Sequence, residues 1–165
     1  MITTSEIREF EPGLYRLMLD VCSSLVLPYV LNEEIPYIWL EGHCPHPYLE
    51  WWQTEAPLRK GGEFYSLKVR TLRYDLQITT KEFLSLLPEF KDAGMLLMQT
   101  EGEIPNTLCL SSLKEESKYK VLVKNGLYLE FYLPHAREYA SIVSPHQDVL
   151  ETIKNNPVIA SGVLP

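Results

Sequence analysis

SKYKVLVKNGLYLEFYL, residues 117–133, holds two runs of alternating large apolar and polar residues on either side of an Asn125-Gly126 pair. A period of two marks a half-buried strand, and Asn-Gly between two such runs marks a hairpin. A two-residue turn would set Lys124 opposite Leu127 and Lys120 opposite Phe131, mixing lysines into the apolar side. A three-residue loop over 124–126, with Gly126 in the left-handed region, sets Val123 opposite Leu127, Val121 opposite Leu129 and Tyr119 opposite Phe131. It also faces Lys120 with Glu130, a favourable cross-strand pair. The second register is the expectation, and it puts an antiparallel sheet at the centre of the protein.

Downstream, 139–143 reads as a further strand. Ser144 then has the position of a helix cap, with Pro145 in the first turn, Gln147 completing a capping box, and Val149, Leu150 and Ile153 as the apolar stripe. Asn156-Pro157 ends that helix, and 157–165 is a short tail that is ordered only if it docks.

Upstream, 95–100 is a continuous apolar run with the length of a buried strand, and 107–111 is a weaker strand. Thr79 and Glu82 have capping-box spacing, so a helix over 80–87 turns Phe83, Leu84 and Leu87 inward until Pro88 bends or stops it. Between Phe64 and Ile78 the alternation changes phase: Tyr65, Leu67 and Val69 are apolar on one parity, Leu72, Tyr74 and Leu76 on the other. One extra residue near 70–72 restores a single apolar face, so a β-bulge or sharp bend is expected there. Lys68, Arg70 and Arg73 then share the opposite face.

Residues 28–62 contain five prolines and read as a long aromatic connection, with a short strand over 37–40 and a short helix over 47–53. Over 14–27, apolar residues fit both a helical stripe and a strand alternation; the helix is preferred, ending at Leu27 before Pro28. The expected architecture is a single α+β domain, residues 1–165, with a mostly antiparallel twisted sheet and the helices at 80–87 and 145–155 on one face.

Composition supports a folded core. The 165 residues are 45% hydrophobic and 22% charged, an ordinary globular balance, and a chain of this length buries roughly 70% of its unfolded surface. A net charge of -7 opposes attraction to phosphate backbones and anionic membranes. Cys22, Cys44 and Cys109 are odd in number and far apart, which fits no disulfide framework and points to a reducing, cytoplasmic setting. The opening MITTSEIREFEPG lacks the basic and apolar regions of a signal peptide, and the greasiest stretch, 14–31, is broken by Arg16, Asp20 and Pro28. No membrane association is expected.

Chemistry is concentrated in YIWLEGHCPHPYLEWWQ, residues 37–53, which holds all three tryptophans and two of the four histidines. Imidazole and thiolate are zinc ligands, so His43, Cys44 and His46 invite a metal or acid-base reading. Both Cys44 and His46 precede a proline and are pushed toward extended backbone. At three residues per turn His43 and His46 share a side, about 9 Å apart along the backbone, while Cys44 projects elsewhere. That leaves the metal site without a full ligand set, and no cofactor is expected. Trp39, Tyr48, Trp51 and Trp52 form a candidate binding surface, since flat rings bury much area at little entropic cost, though the same residues also anchor cores. Lys68, Arg70 and Arg73 form a candidate anion-binding stripe.

A glycine-rich phosphate loop, a nucleophile elbow and a metalloprotease helix are all missing from the sequence. The leading expectation is therefore a non-catalytic binding or regulatory domain that recognises a protein partner, or pairs with itself as a homodimer, through aromatic surface. The alternative is a small hydrolase or lyase using His43, Cys44 and His46. The third is phosphate or nucleic-acid binding through the basic strand face, which the overall acidity disfavours.

Overall fold

The computed structural model describes residues 2–21, 24–44, 63–66, 72–90, 95–103, 115–134 and 139–164. In chain order the strands are β1 (Arg8–Glu11), β2 (Leu14–Leu19), β3 (Tyr37–Cys44), β4 (Glu63–Ser66), β5 (Leu72–Thr79), β6 (Met95–Thr100), β7 (Leu127–Leu133) and β8 (Ala140–Ser144). The helices are α1 (Thr80–Phe90), α2 (Glu115–Lys124), α3 (Gln147–Lys154) and α4 (Pro157–Ser161), and a 3-10 helix spans Ser24–Tyr29. The eight strands among the described residues form one sheet in the order β1-β2-β8-β7-β6-β3-β5-β4, and each neighbouring pair is antiparallel. The mixed α+β, mainly antiparallel architecture is the one expected from the sequence.

Strand alternation divides the apolar residues between two faces. Leu17 and Leu19 of β2, Ile142 of β8, Phe131 of β7, Leu97 of β6 and Ile38 of β3 are fully buried on one face. Phe83 and Leu87 of α1, Leu150 and Ile153 of α3 and Ile159 of α4 cover them. Each such side chain contributes roughly 1.5–3 kcal/mol by leaving water. The two anticipated helices lie together on this face. The opposite face carries a smaller cluster, Leu14, Trp39, Met98 and Val143, beneath Tyr119 and Leu122 of α2.

α2 corrects the hairpin expected over 117–133. Its residues alternate as a strand would, but β7 already has β6 on one side and β8 on the other, so no backbone edge remains for 119–123 to join. A helix satisfies those backbone groups internally instead. Gly126 is in the left-handed region as expected, at φ 77°, yet it ends a helix rather than turning a hairpin. Its N–H donates to the Val123 carbonyl, and the Asn125 side-chain amide donates to Val121 O at 2.8 Å. Asn-Gly serves both jobs because both need positive φ. The lysine that meets Glu130 is Lys118 rather than Lys120, a consequence of helical spacing.

Four other elements differ from expectation. Residues 14–19 are strand β2, since β8 offers a free edge that buries Leu17 and Leu19, and the following 3-10 helix runs through Pro28. Residues 63–66 and 72–79 are two strands that pair antiparallel with each other, so of the expected bulge or sharp bend it is a reversal of the chain that accounts for the change of phase. Ser144 does not cap α3: its hydroxyl donates to Tyr128 O at 2.6 Å and accepts from His146 N–H, while His146 occupies the cap position with no side-chain bond. α1 continues through Pro88 to Phe90. The Thr79–Glu82 capping box does form, with Glu82 N–H donating to Thr79 Oγ1 and Thr79 N–H to Glu82 Oε2. The expected strand at 107–111 and helix at 47–53 lie outside the described residues.

Residues 157–161, part of the segment read as a tail, form α4, capped by Asn156 and anchored by the buried Ile159. The Ile2 N–H donates to Gly162 O, which ties the two ends of the described chain together.

Candidate functional site

The strand register groups residues into cross-strand rows. One row on the α2 side of the sheet runs Arg16, Val143, Glu130, Met98 and Trp39, each the direct partner of the next. α2 lies over this row. Tyr119 Oη donates to Glu130 Oε1 at 2.8 Å, and Lys118 Nζ lies 2.8 Å from Oε2, a close ion pair not aligned as a hydrogen bond. The Lys118 ammonium also sits 4.7 Å from the Tyr119 ring centre. Tyr119 meets Phe10 edge to face at 5.9 Å, and the Arg16 guanidinium lies 4.1 Å over Phe10.

This cluster is a structural clamp. Glu130 is 4% exposed, with Tyr119 bonded to one of its oxygens and Lys118 ion-paired with the other. A buried carboxylate is tolerated only with such partners. Trp39 Nε1 and Arg16 Nε, by contrast, are buried without an acceptor. A buried donor left unpaired costs about 1–3 kcal/mol, which the aromatic and apolar contacts around α2 must offset.

In the next row the described side chains are partly exposed on β7, β6 and β2 and buried at Ser141. It starts with Met18, Ser141, Tyr132 and Leu96 and continues across β3, β5 and β4 as Glu41, Asp75 and Glu63. Tyr132 is 43% exposed, Met18 and Leu96 are half-buried, and Tyr139, just before β8, is exposed. One row further, His43, Arg73 and Tyr65 are direct partners across β3, β5 and β4. Among the described side chains, this part of the face is thus aromatic and apolar on β7 and β6.

Among the expected site residues, His43 and Arg73 come together as cross-strand partners on one face. Cys44 pairs with Leu72 and, being the next residue along β3, belongs to the opposite face. His46, Tyr48, Trp51, Trp52, Lys68 and Arg70 lie outside the described residues. Trp39, expected on a binding surface, is 3% exposed and packs in the cluster beneath α2. Tyr132 and Tyr139 were missed as surface aromatics, because reading 117–133 as a hairpin left no helix to divide the face into covered and open halves.

Compared with protein-family models, curated proteins and solved structures, the chain has no significant match in any of the three. Among the described residues no group of histidine, cysteine and carboxylate side chains has the arrangement of a metal site, and no helix is long and apolar enough to cross a membrane.

Proposed function

We propose that this chain is a non-catalytic binding or regulatory domain that recognises a protein partner, or a second copy of itself, through the open half of the sheet beside α2. The observation that carries the reading is Tyr132, a large aromatic 43% exposed on a sheet face, with the half-buried Leu96 beside it on β6 and the buried Ser141 beside it on β8. An apolar, aromatic strip with a polar border is the composition of a protein contact surface, where a few rings carry most of the binding energy. Glu130, buried on this face, is engaged by Tyr119 and Lys118, which favours an architectural role for it over a catalytic one. A net charge of -7 on the chain disfavours a polyanion as the ligand. Three cysteines with no disulfide framework favour a cytoplasmic setting.

Affinity capture with the tagged chain tests the reading. Tyr132→Glu should reduce recovery of the captured partner roughly tenfold or more while leaving the melting temperature within a few degrees. A wild-type chain that is monomeric and captures nothing, or a variant that captures as well as wild type, would overturn it.

A further inference from the structure

We infer that Asn125-Gly126 is a site of spontaneous chemical modification, held shut by the folded end of α2 and released when that end opens. An asparagine followed by glycine is especially prone to deamidation, because glycine has no side chain to hinder the reaction. The Gly126 backbone nitrogen gives up its proton and bonds to the side-chain carbonyl carbon of Asn125, closing a cyclic imide. The side-chain nitrogen leaves with that proton as ammonia. Water then opens the ring at either carbonyl, giving aspartate, or isoaspartate with the backbone running through the former side chain.

The folded geometry opposes each part of this ring closure. Gly126 N–H donates to Val123 O at 3.1 Å, so the attacking nitrogen is engaged as a donor. Asn125 Nδ2 donates to Val121 O at 2.8 Å, which folds the side chain back along the helix. The Asn125 backbone N–H, 3.2 Å from Val121 O and 3.1 Å from Leu122 O, continues the helical turn up to the pair. The Asn125 and Gly126 carbonyls accept from Gly102 N–H and Glu101 N–H respectively, each at 2.9 Å, which pins both residues against the turn after β6. The rearrangement that closes the ring must release this set of bonds.

Ring closure therefore waits for the last turn of α2 to open. α2 has ten residues, fewer than a helix needs to persist alone in water, and among its described side chains Tyr119 and Leu122 are the buried ones. Its closure depends on its seat on the sheet, including the Tyr119 bond to Glu130. Local openings of this kind cost less than global unfolding. The modification runs one way. Aspartate at position 125 has lost the amide that donates to Val121 O, and it places negative charge at a helix C-terminus, where the dipole opposes it. Isoaspartate lengthens the backbone and shifts Gly126 away from the Glu101 N–H. Either product closes α2 less firmly than asparagine does.

Peptide mass spectrometry, with isoaspartate resolved by chromatography, follows residue 125 in the full chain held in mildly alkaline buffer. The folded chain should convert roughly tenfold or more slowly than the chain unfolded in urea. Tyr119→Phe should convert faster than wild type while still folded. Ile159→Val, which trims the core at α4 on the opposite sheet face, should leave the rate unchanged. A folded chain that converts as fast as the unfolded one, an unfolded chain that stays unconverted at 125, or a Tyr119→Phe chain no faster than wild type overturns the inference. So does a rate that follows the melting temperatures of Tyr119→Phe and Ile159→Val alike, since release would then come from global unfolding. Asn125→Asp should melt below wild type, and equal stability would overturn the one-way consequence.

Discussion

Tyr15 and Glu9 face each other across β1 and β2 near the edge of the sheet. Hydrogen bonding toward the Glu9 carboxylate, its negative charge and partial burial together hold the Tyr15 phenol above its ordinary value. Because the folded pKa is raised, the pair's contribution is complete below the ordinary tyrosine value of about 10 and is lost as pH rises through the folded one. The difference absorbance titration of wild type minus Tyr15→Phe should therefore place Tyr15 above an ordinary tyrosine, and Glu9→Gln should bring it back down. A Tyr15 that titrates at the ordinary value in the wild-type chain contradicts the assignment. Gln99 shows the opposite kind of polar residue, buried and fully engaged. Its Oε1 accepts from Asn32 N–H, and its Nε2 donates to Asn32 O and Thr80 Oγ1, tying the loop before β3 to the start of α1. Nothing in the local pattern of MLLMQT announces that role, because the partners lie 67 and 19 residues away.

At the scale of elements, local sequence announces an element that depends on its own residues and misleads about one that depends on its neighbours. The start of α1 was legible because a capping box is a local device, and β6 and β8 were legible as apolar runs bounded by breakers. Residues 14–19 and 119–123 carry ambiguous or strand-like patterns, and which became a strand was decided by whether an edge was free. β8 had one to offer β2, while β7 had none left for α2. Gly126 then sets the end of α2 and the register of β7. A β-carbon there would lie 3.0 Å from Glu101 Cβ and would have to adopt positive φ. Gly126→Ala should cost about 1–2 kcal/mol from the backbone conformation alone. The loss is read as a lower midpoint in urea unfolding with an unchanged slope. A variant as stable as wild type would show that α2 can end without its left-handed residue.

For the molecule as a whole, the order of strands separates what forms locally from what must wait. Tyr132 of β7 pairs with Ser141 of β8 only a short loop away, whereas β2 pairs with β8 across a gap that runs from Leu19–Ala140 to Tyr15–Ser144. The same long closure hid the candidate site from a sequence reading, since Met18 and Ser141 join the Tyr132 row only once β2 has docked. The entropic cost of closing a loop grows as about (3/2)RT ln n, so β2 should be added after β6, β7 and β8 have assembled. Leu17 and Phe131 are both fully buried on the main core face, and truncating either to alanine should cost on the order of 2–5 kcal/mol. Their kinetics should differ. Phe131→Ala, within the early β6-β7-β8 unit, should slow refolding, while Leu17→Ala should chiefly speed unfolding because its contacts are absent from the transition state. Stopped-flow chevrons of the two variants, at concentrations where the chain is monomeric, measure the partition directly. If Leu17→Ala slows refolding in proportion to its loss of stability, β2 is already in place at the barrier, and the long-range pairing guides folding instead of completing it.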